Sequence, residues 1–151
     1  MEILTKELVV FPLEAATKEE ALSLLSDALL KEKRISSKET FLEDVLKREK
    51  DFTTGFGDGF AIPHGKSKSV LSPSIAVGKC PDAVEWEALD GKPVSLIFLL
   101  AVPESQAGTT HLKILAKLAE NLMDDEIREH LISLNTSEEL YHYTSKILGG
   151  L

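Results

Sequence analysis

Cysteine is nearly absent from this 151-residue chain; Cys80 is the only one. That excludes an intrachain disulfide and a cysteine-rich metal site. Long apolar runs are missing as well. The longest, Val94 to Val102, has the length of a strand and falls well short of the roughly 20 residues of a transmembrane helix. The N-terminus carries Glu2 and lacks the basic flank and apolar segment of a signal peptide. Basic residues are scarce, 17 against 25 acidic ones, for a net charge of −8. Nucleic acid is therefore not an expected partner, since its affinity rests on Lys and Arg neutralising phosphates. The basic cluster Lys31-Glu32-Lys33-Arg34 is broken by an acid and reads as a solvated helix end. There is no repeat and no low-complexity tract. A single domain over 1–151 is expected, in the cytoplasm and without direct membrane insertion.

What is present alternates between strand and helix signals. Leu8-Val9-Val10-Phe11 reads as a short strand ended by Pro12. Thr17 to Glu20 has capping-box spacing, followed by Ala21, Leu22, Leu25, Ala28 and Leu29 at helical intervals. Ser36 with Glu39 repeats that signal and predicts a second helix to about Arg48, with a glycine-rich loop after it. Ser74 to Gly78 and Ala83 to Trp86 read as strands, with a turn at Asp90-Gly91. The nearly continuous apolar run Val94 to Val102 predicts a central strand covered on both faces. The last third is helical: Leu112, Leu115, Leu118, Ala119 and Leu122 form one stripe, and Ile127, Leu131 and Ile132 another. Thr136 to Glu139 caps a final helix. The expected fold class is α/β, a sandwich with a mixed parallel and antiparallel central sheet flanked by helices.

The stretch "GFGDGFAIPHGKSKSV", residues 55 to 70, places three glycines ahead of a histidine held between Pro63 and Gly65. Glycine lets backbone approach a ligand closely, and Pro63 fixes φ just before the imidazole. Neutral imidazole can accept a phosphoryl group at one nitrogen while the other donates a hydrogen bond. Glycine-rich backbone can offer N–H groups to anionic oxygens. A surface histidine after a turn is the plain alternative, which the Pro and Gly flanks weigh against. His111 opens the Leu112–Leu122 helix, where dipole and free N–H groups favour anions; a helix-start histidine without a role fits equally well. Arg48 can fork onto phosphate oxygens or serve as a solvated cation at a helix end. Thr53 and Thr54 can donate hydroxyls to the same oxygens, and turn polarity accounts for them equally. His130 and His142 read as surface residues, and Cys80 as structural. A metal site using His64 and His111 lacks a third ligand at regular spacing.

"REKDFTTGFGDGFAIPHGK" resembles the active-site segment of the fructose/mannitol-type enzyme IIA domain of the bacterial phosphoenolpyruvate-dependent sugar phosphotransferase system. "VEWEALDGKPVSLIFLLAVPESQAGTTHLKILAKLAENL" is similar to that family's second signature. The resemblance implies a phosphohistidine relay without metal or organic cofactor. The carrier HPr would phosphorylate His64, giving a tele-phosphohistidine. His64 would pass the group to a cysteine of enzyme IIB, which works with a membrane enzyme IIC on a fructose-like sugar or sugar alcohol. His111 would support the phosphohistidine by hydrogen bonding and Arg48 would hold the phosphoryl group, with Thr53, Thr54, Gly55 and Gly57 as further phosphate-binding candidates. Phe56 and Phe60 are candidates for an apolar docking patch or for the core, and Asp58 is expected to face solvent. The alternative within the resemblance is a nitrogen-type regulatory enzyme IIA, whose phosphorylation state controls protein binding.

Overall fold

Alternating short strands and capped helices organise residues 2–106 and 110–149, the part of the chain that the structure, a computed structural model, describes; side chains are described for 2–105 and 112–149. In chain order the elements are β1 (Val9–Val10), α1 (Lys18–Lys31), α2 (Lys38–Asp51), β2 (Gly55–Gly57), β3 (Phe60–Ala61), β4 (His64–Ser67) and β5 (Ser74–Val84). They continue with β6 (Val94–Pro103), α3 (Thr110–Leu122), α4 (Asp125–Ser133) and α5 (Ser137–Leu148).

Helix starts follow their capping residues. Thr17 Oγ1 accepts from Glu20 N at 3.1 Å, and Thr136 Oγ1 accepts from Glu139 N at 3.1 Å. The cap of α2 is Ser37 rather than the expected Ser36, because Ser36 is occupied across the fold: its amide donates to Ser69 O at 2.7 Å. The helix also runs past Arg48 to Asp51, leaving Arg48 in its last turn.

The sheet is mixed, with order β1-β5-β6-β3-β2 and β4 also paired to β6. β6 runs antiparallel to β5 and parallel to both β3 and β4. Its residues are buried almost without interruption, so both faces are covered, as the apolar run predicted. α1 and α2 pack on each other and on β5 and β4, while α3 packs against α4, α5 and β6. The expected strands Ser74–Gly78 and Ala83–Trp86 are largely one irregular strand, β5, which ends at Val84.

Three expectations need correction. The glycine-rich loop contains the short strands β2 and β3 and leads into β4, because β3 and β4 pair with β6 and β2 pairs in turn with β3, a tertiary pairing that glycine does not announce. Arg34 is buried: its Nη1 donates to Glu2 O at 2.6 Å and Ser74 Oγ at 2.9 Å, which ties the N-terminal segment to the start of β5. In α3 the buried stripe is Ile114, Leu118 and Leu122, and Leu112 is exposed.

Candidate functional site

β4 begins at His64, which lies opposite Leu100 of β6, and Leu100 N donates to Pro63 O at 2.9 Å. The next residue must be small. A Cβ on Gly65 would sit 2.5 Å from Val45 Cγ2 and 2.8 Å from Phe41 Cε1, both on α2. The glycine thus lets α2 lie directly on β4. Arg48, three residues beyond Val45 on that helix, is thereby brought to the half-buried imidazole.

The contacts of His64 assign its tautomer. Arg48 Nε can only donate, and it does so to His64 Nε2 at 3.1 Å. Nε2 is therefore the unprotonated nitrogen. Nδ1 lies 3.2 Å from Ile62 O, which can only accept, so Nδ1 carries the proton. Arg48 is itself held, because its Nη1 donates to Phe52 O at 2.8 Å at the end of its own helix. The arrangement presents a nucleophilic lone pair against a guanidinium suited to anionic oxygens.

Thr54 N donates to both carboxylate oxygens of Glu49 at 3.1 Å, and Thr54 Oγ1 donates to Glu49 Oε1 at 2.8 Å. Thr53 Oγ1 accepts from Gly55 N at 3.1 Å. Gly57 has φ of +113°, a conformation that side chains disfavour, and makes the turn toward Asp58. His111 is the second residue of α3, and its side chain lies outside the described residues. Phe60 is fully buried in the core and Phe56 partly so; the exposed aromatic beside Arg48 is Phe52. Asp58 faces solvent as expected, and pairs with Lys92 and Arg128 at 3.7 and 3.6 Å. His130 and His142 are exposed.

Nothing in the residue pattern singles out Glu49. Its carboxylate is buried and accepts from Trp86 Nε1 at 2.7 Å as well as from Thr54, with Lys18 Nζ 3.8 Å away. An open depression of about 840 Å³ lies on that side, lined by residues including Lys18, Lys47, Lys50 and Thr53; His64 and Arg48 do not line it. Among the described residues no group of three or more His, Cys, Asp or Glu could hold a metal ion. Cys80 is buried, and desolvation pushes its thiol up to about 11, so it is not a nucleophile at neutral pH.

Comparison with known proteins adds a family. That described as "Phosphoenolpyruvate-dependent sugar phosphotransferase system, EIIA 2" matches residues 2–147. The fructose-specific EIIABC component of Bacillus subtilis is 37% identical over 139 residues, covering 92% of this chain but 22% of that protein. The chain thus spans about a fifth of that relative's length. A nitrogen regulatory protein of Pseudomonas aeruginosa is 34% identical over 149 residues, covering 99% of this chain and 96% of the relative. Among solved structures, the nitrogen regulatory protein IIA-Ntr of Neisseria meningitidis superposes with a TM-score of 0.85 at 36% identity, covering 93% of this chain and 95% of the other. The mannitol enzyme IIA of Escherichia coli, solved in complex with phosphorylated enzyme IIB, shares the fold with a TM-score of 0.78 at 24% identity and 98% coverage of both chains.

Proposed function

The chain belongs to the EIIA family of the phosphoenolpyruvate-dependent sugar phosphotransferase system, and on that premise we propose that it relays a phosphoryl group through His64. The observation that carries this is the Arg48–His64–Ile62 arrangement, an unprotonated Nε2 facing a guanidinium with the Nδ1 proton held by a carbonyl.

His64 Nε2 attacks the phosphorus of a donor phosphohistidine on the carrier HPr. The donor P–N bond breaks, its electron pair returns to the donor ring, and a new P–N bond forms at Nε2. No net proton moves. The ring of His64 becomes cationic while keeping its Nδ1 proton, so the bond to Ile62 O becomes charge-assisted in the phosphorylated state. Arg48 turns from the lone pair to the phosphoryl oxygens as that lone pair becomes a bond. Such transfer depends on positioning and charge stabilisation more than on acid–base work. His111 at the start of α3, Thr53 and the backbone of Gly55 and Gly57 are the further candidates for holding the group. Thr54 would have to release Glu49 to join them.

The acceptor is a cysteine of an enzyme IIB that works with a membrane enzyme IIC, moving a fructose-like sugar or sugar alcohol, and the protein acts in the cytoplasm without a cofactor. The single-chain EIIABC relative supports this reading. The second reading is a regulatory protein of the nitrogen type, favoured by the likeness to IIA-Ntr at 36% identity. Both use His64.

Incubation with phosphoenolpyruvate, enzyme I and HPr tests the shared step: one added phosphoryl group on His64, and none on the His64→Ala protein. Phosphate carried by His64→Ala would defeat the proposal. Onward transfer to a fructose-type enzyme IIB supports the transport reading, and its absence from a phosphorylated protein the regulatory one.

A further inference from the structure

Glu49 stands next to Arg48 in the chain, yet faces away from the imidazole into a different neighbourhood. It is a buried carboxylate, costly unless every lone pair is matched by a donor. Its partners come from three other parts of the fold: Lys18 at the start of α1, Thr54 before β2, and Trp86 beyond β5. Trp86 is itself fully buried, and Lys18 Nζ donates to Trp86 O at 3.2 Å, which closes the cluster.

From this cluster two routes lead to the two ring nitrogens of His64. The first is covalent: Glu49 anchors the last turn of α2, and the adjacent Arg48 donates to Nε2. The second runs through backbone. Glu49 fixes Thr54 at both its amide and its hydroxyl; Thr54 O accepts from Ile62 N at 3.0 Å; and Ile62 O lies 3.2 Å from Nδ1. We propose that Glu49 is a positioning residue that sets the tautomer and orientation of His64 through Arg48 on one side and Thr54–Ile62 on the other. The consequence for phosphoryl transfer rests on the relay reading above, whereas the effect on the imidazole does not.

The chemistry of the cluster supplies the test. The Thr54 amide, the Trp86 indole and the Lys18 ammonium are obligate donors, and the Thr54 hydroxyl is observed donating. Glu49→Gln keeps the volume and sets an NH2 group against them. Trp86→Phe removes the indole donor, which reaches Glu49 at 2.7 Å and Thr54 Oγ1 at 3.4 Å, but leaves the direct Glu49–Thr54 bonds in place, so it perturbs the same cluster without cutting the route. Two readouts need no partner protein. One is the 15N signals of His64, which report the tautomer directly. The other is phosphorylation by phosphoramidate, whose P–N bond breaks with loss of ammonia as the new P–N bond forms at Nε2.

Glu49→Gln is expected to lower the Nδ1–H population and slow phosphoramidate transfer by about 10- to 100-fold, the scale of a misplaced reacting group. Trp86→Phe should keep the wild-type tautomer and stay within about twofold in rate, a change well below that scale. Wild-type signals and rate in a folded Glu49→Gln protein would overturn the proposal. So would a Trp86→Phe protein that loses as much as Glu49→Gln, because the cluster would then act only through stability. Should Glu49→Gln fail to fold, Thr54→Val cuts the hydroxyl link and should move the His64 signals in the same direction by less; unmoved signals would overturn it. Failure of the wild type to accept from HPr would defeat the relay and leave these readouts intact.

Discussion

Two carboxylates brace the segment that presents His64, one from inside and one from outside. The side chain of Glu49 is 4% exposed, that of Asp58 52%. Glu49 accepts three hydrogen-bond donors and reaches Lys18. Asp58 pairs with Lys92 and Arg128 at distances beyond hydrogen bonding, and its amide donates to Asp90 Oδ2 at 2.8 Å. Charge and purpose are alike, but the surroundings differ. In the dry cluster a missing partner strands buried donors, whereas at the surface water and salt take the partner's place. The inner brace should therefore set the geometry of the imidazole, and the outer one should only trim the turn.

The largest effect expected from this contrast is Glu49→Ala, which takes the carboxylate acceptor from Thr54 and the indole and the counter-charge from Lys18. A loss of about 3–5 kcal/mol is predicted from urea denaturation. Gly65→Ala comes next. Its methyl would meet Val45 and Phe41, and overpacking should cost about 1–3 kcal/mol while moving α2, and Arg48 with it, off His64. Phosphoryl acceptance should fall in the same protein. Asp58→Asn should change stability by no more than about 1 kcal/mol, with the difference vanishing at high salt. A large, salt-independent loss there would erase the distinction between the two braces.

The smallest expected effect concerns Asp90. The backbone amide of Asp58, and then that of Lys92, hold its carboxyl below its ordinary 3.8. A depressed folded value means the stabilisation is present above the unfolded value and is lost as pH falls through the folded one. Asp90→Asn and wild type should therefore differ by a constant amount from pH 5 to 8 and converge in acid, as melting curves would show.

Why the fold and the exposure of Asp58 were readable from sequence, and the two braces were not, has a physical basis. Thr17 and Thr136 announce their helices because a cap is a local hydrogen bond. The central strand announces itself because burial on both faces demands an apolar run. His64 and Arg48 stood out in the sequence by residue type, and the structure brings their side chains together. Glu49 was hidden in the run Lys47-Arg48-Glu49-Lys50-Asp51, which looks like a solvated helix face. Its burial depends on partners that the local run does not reveal, such as Trp86, 37 residues away. Arg34 was misread for the same reason, its partners Glu2 and Ser74 being remote in sequence. The strand β2 was missed because glycine carries no strand signal of its own, and β3, Phe60–Ala61, because it is too short to show one.

In the proposed relay Nε2 of His64 is the nucleophile, with Nδ1 keeping its proton against Ile62 O. Phosphorylate the 15N-labelled protein through HPr and identify the substituted ring nitrogen by phosphorus–nitrogen coupling in NMR. Phosphorus is expected on Nε2, with a retained, slowly exchanging Nδ1 proton. A phosphoryl group on Nδ1 would contradict this assignment.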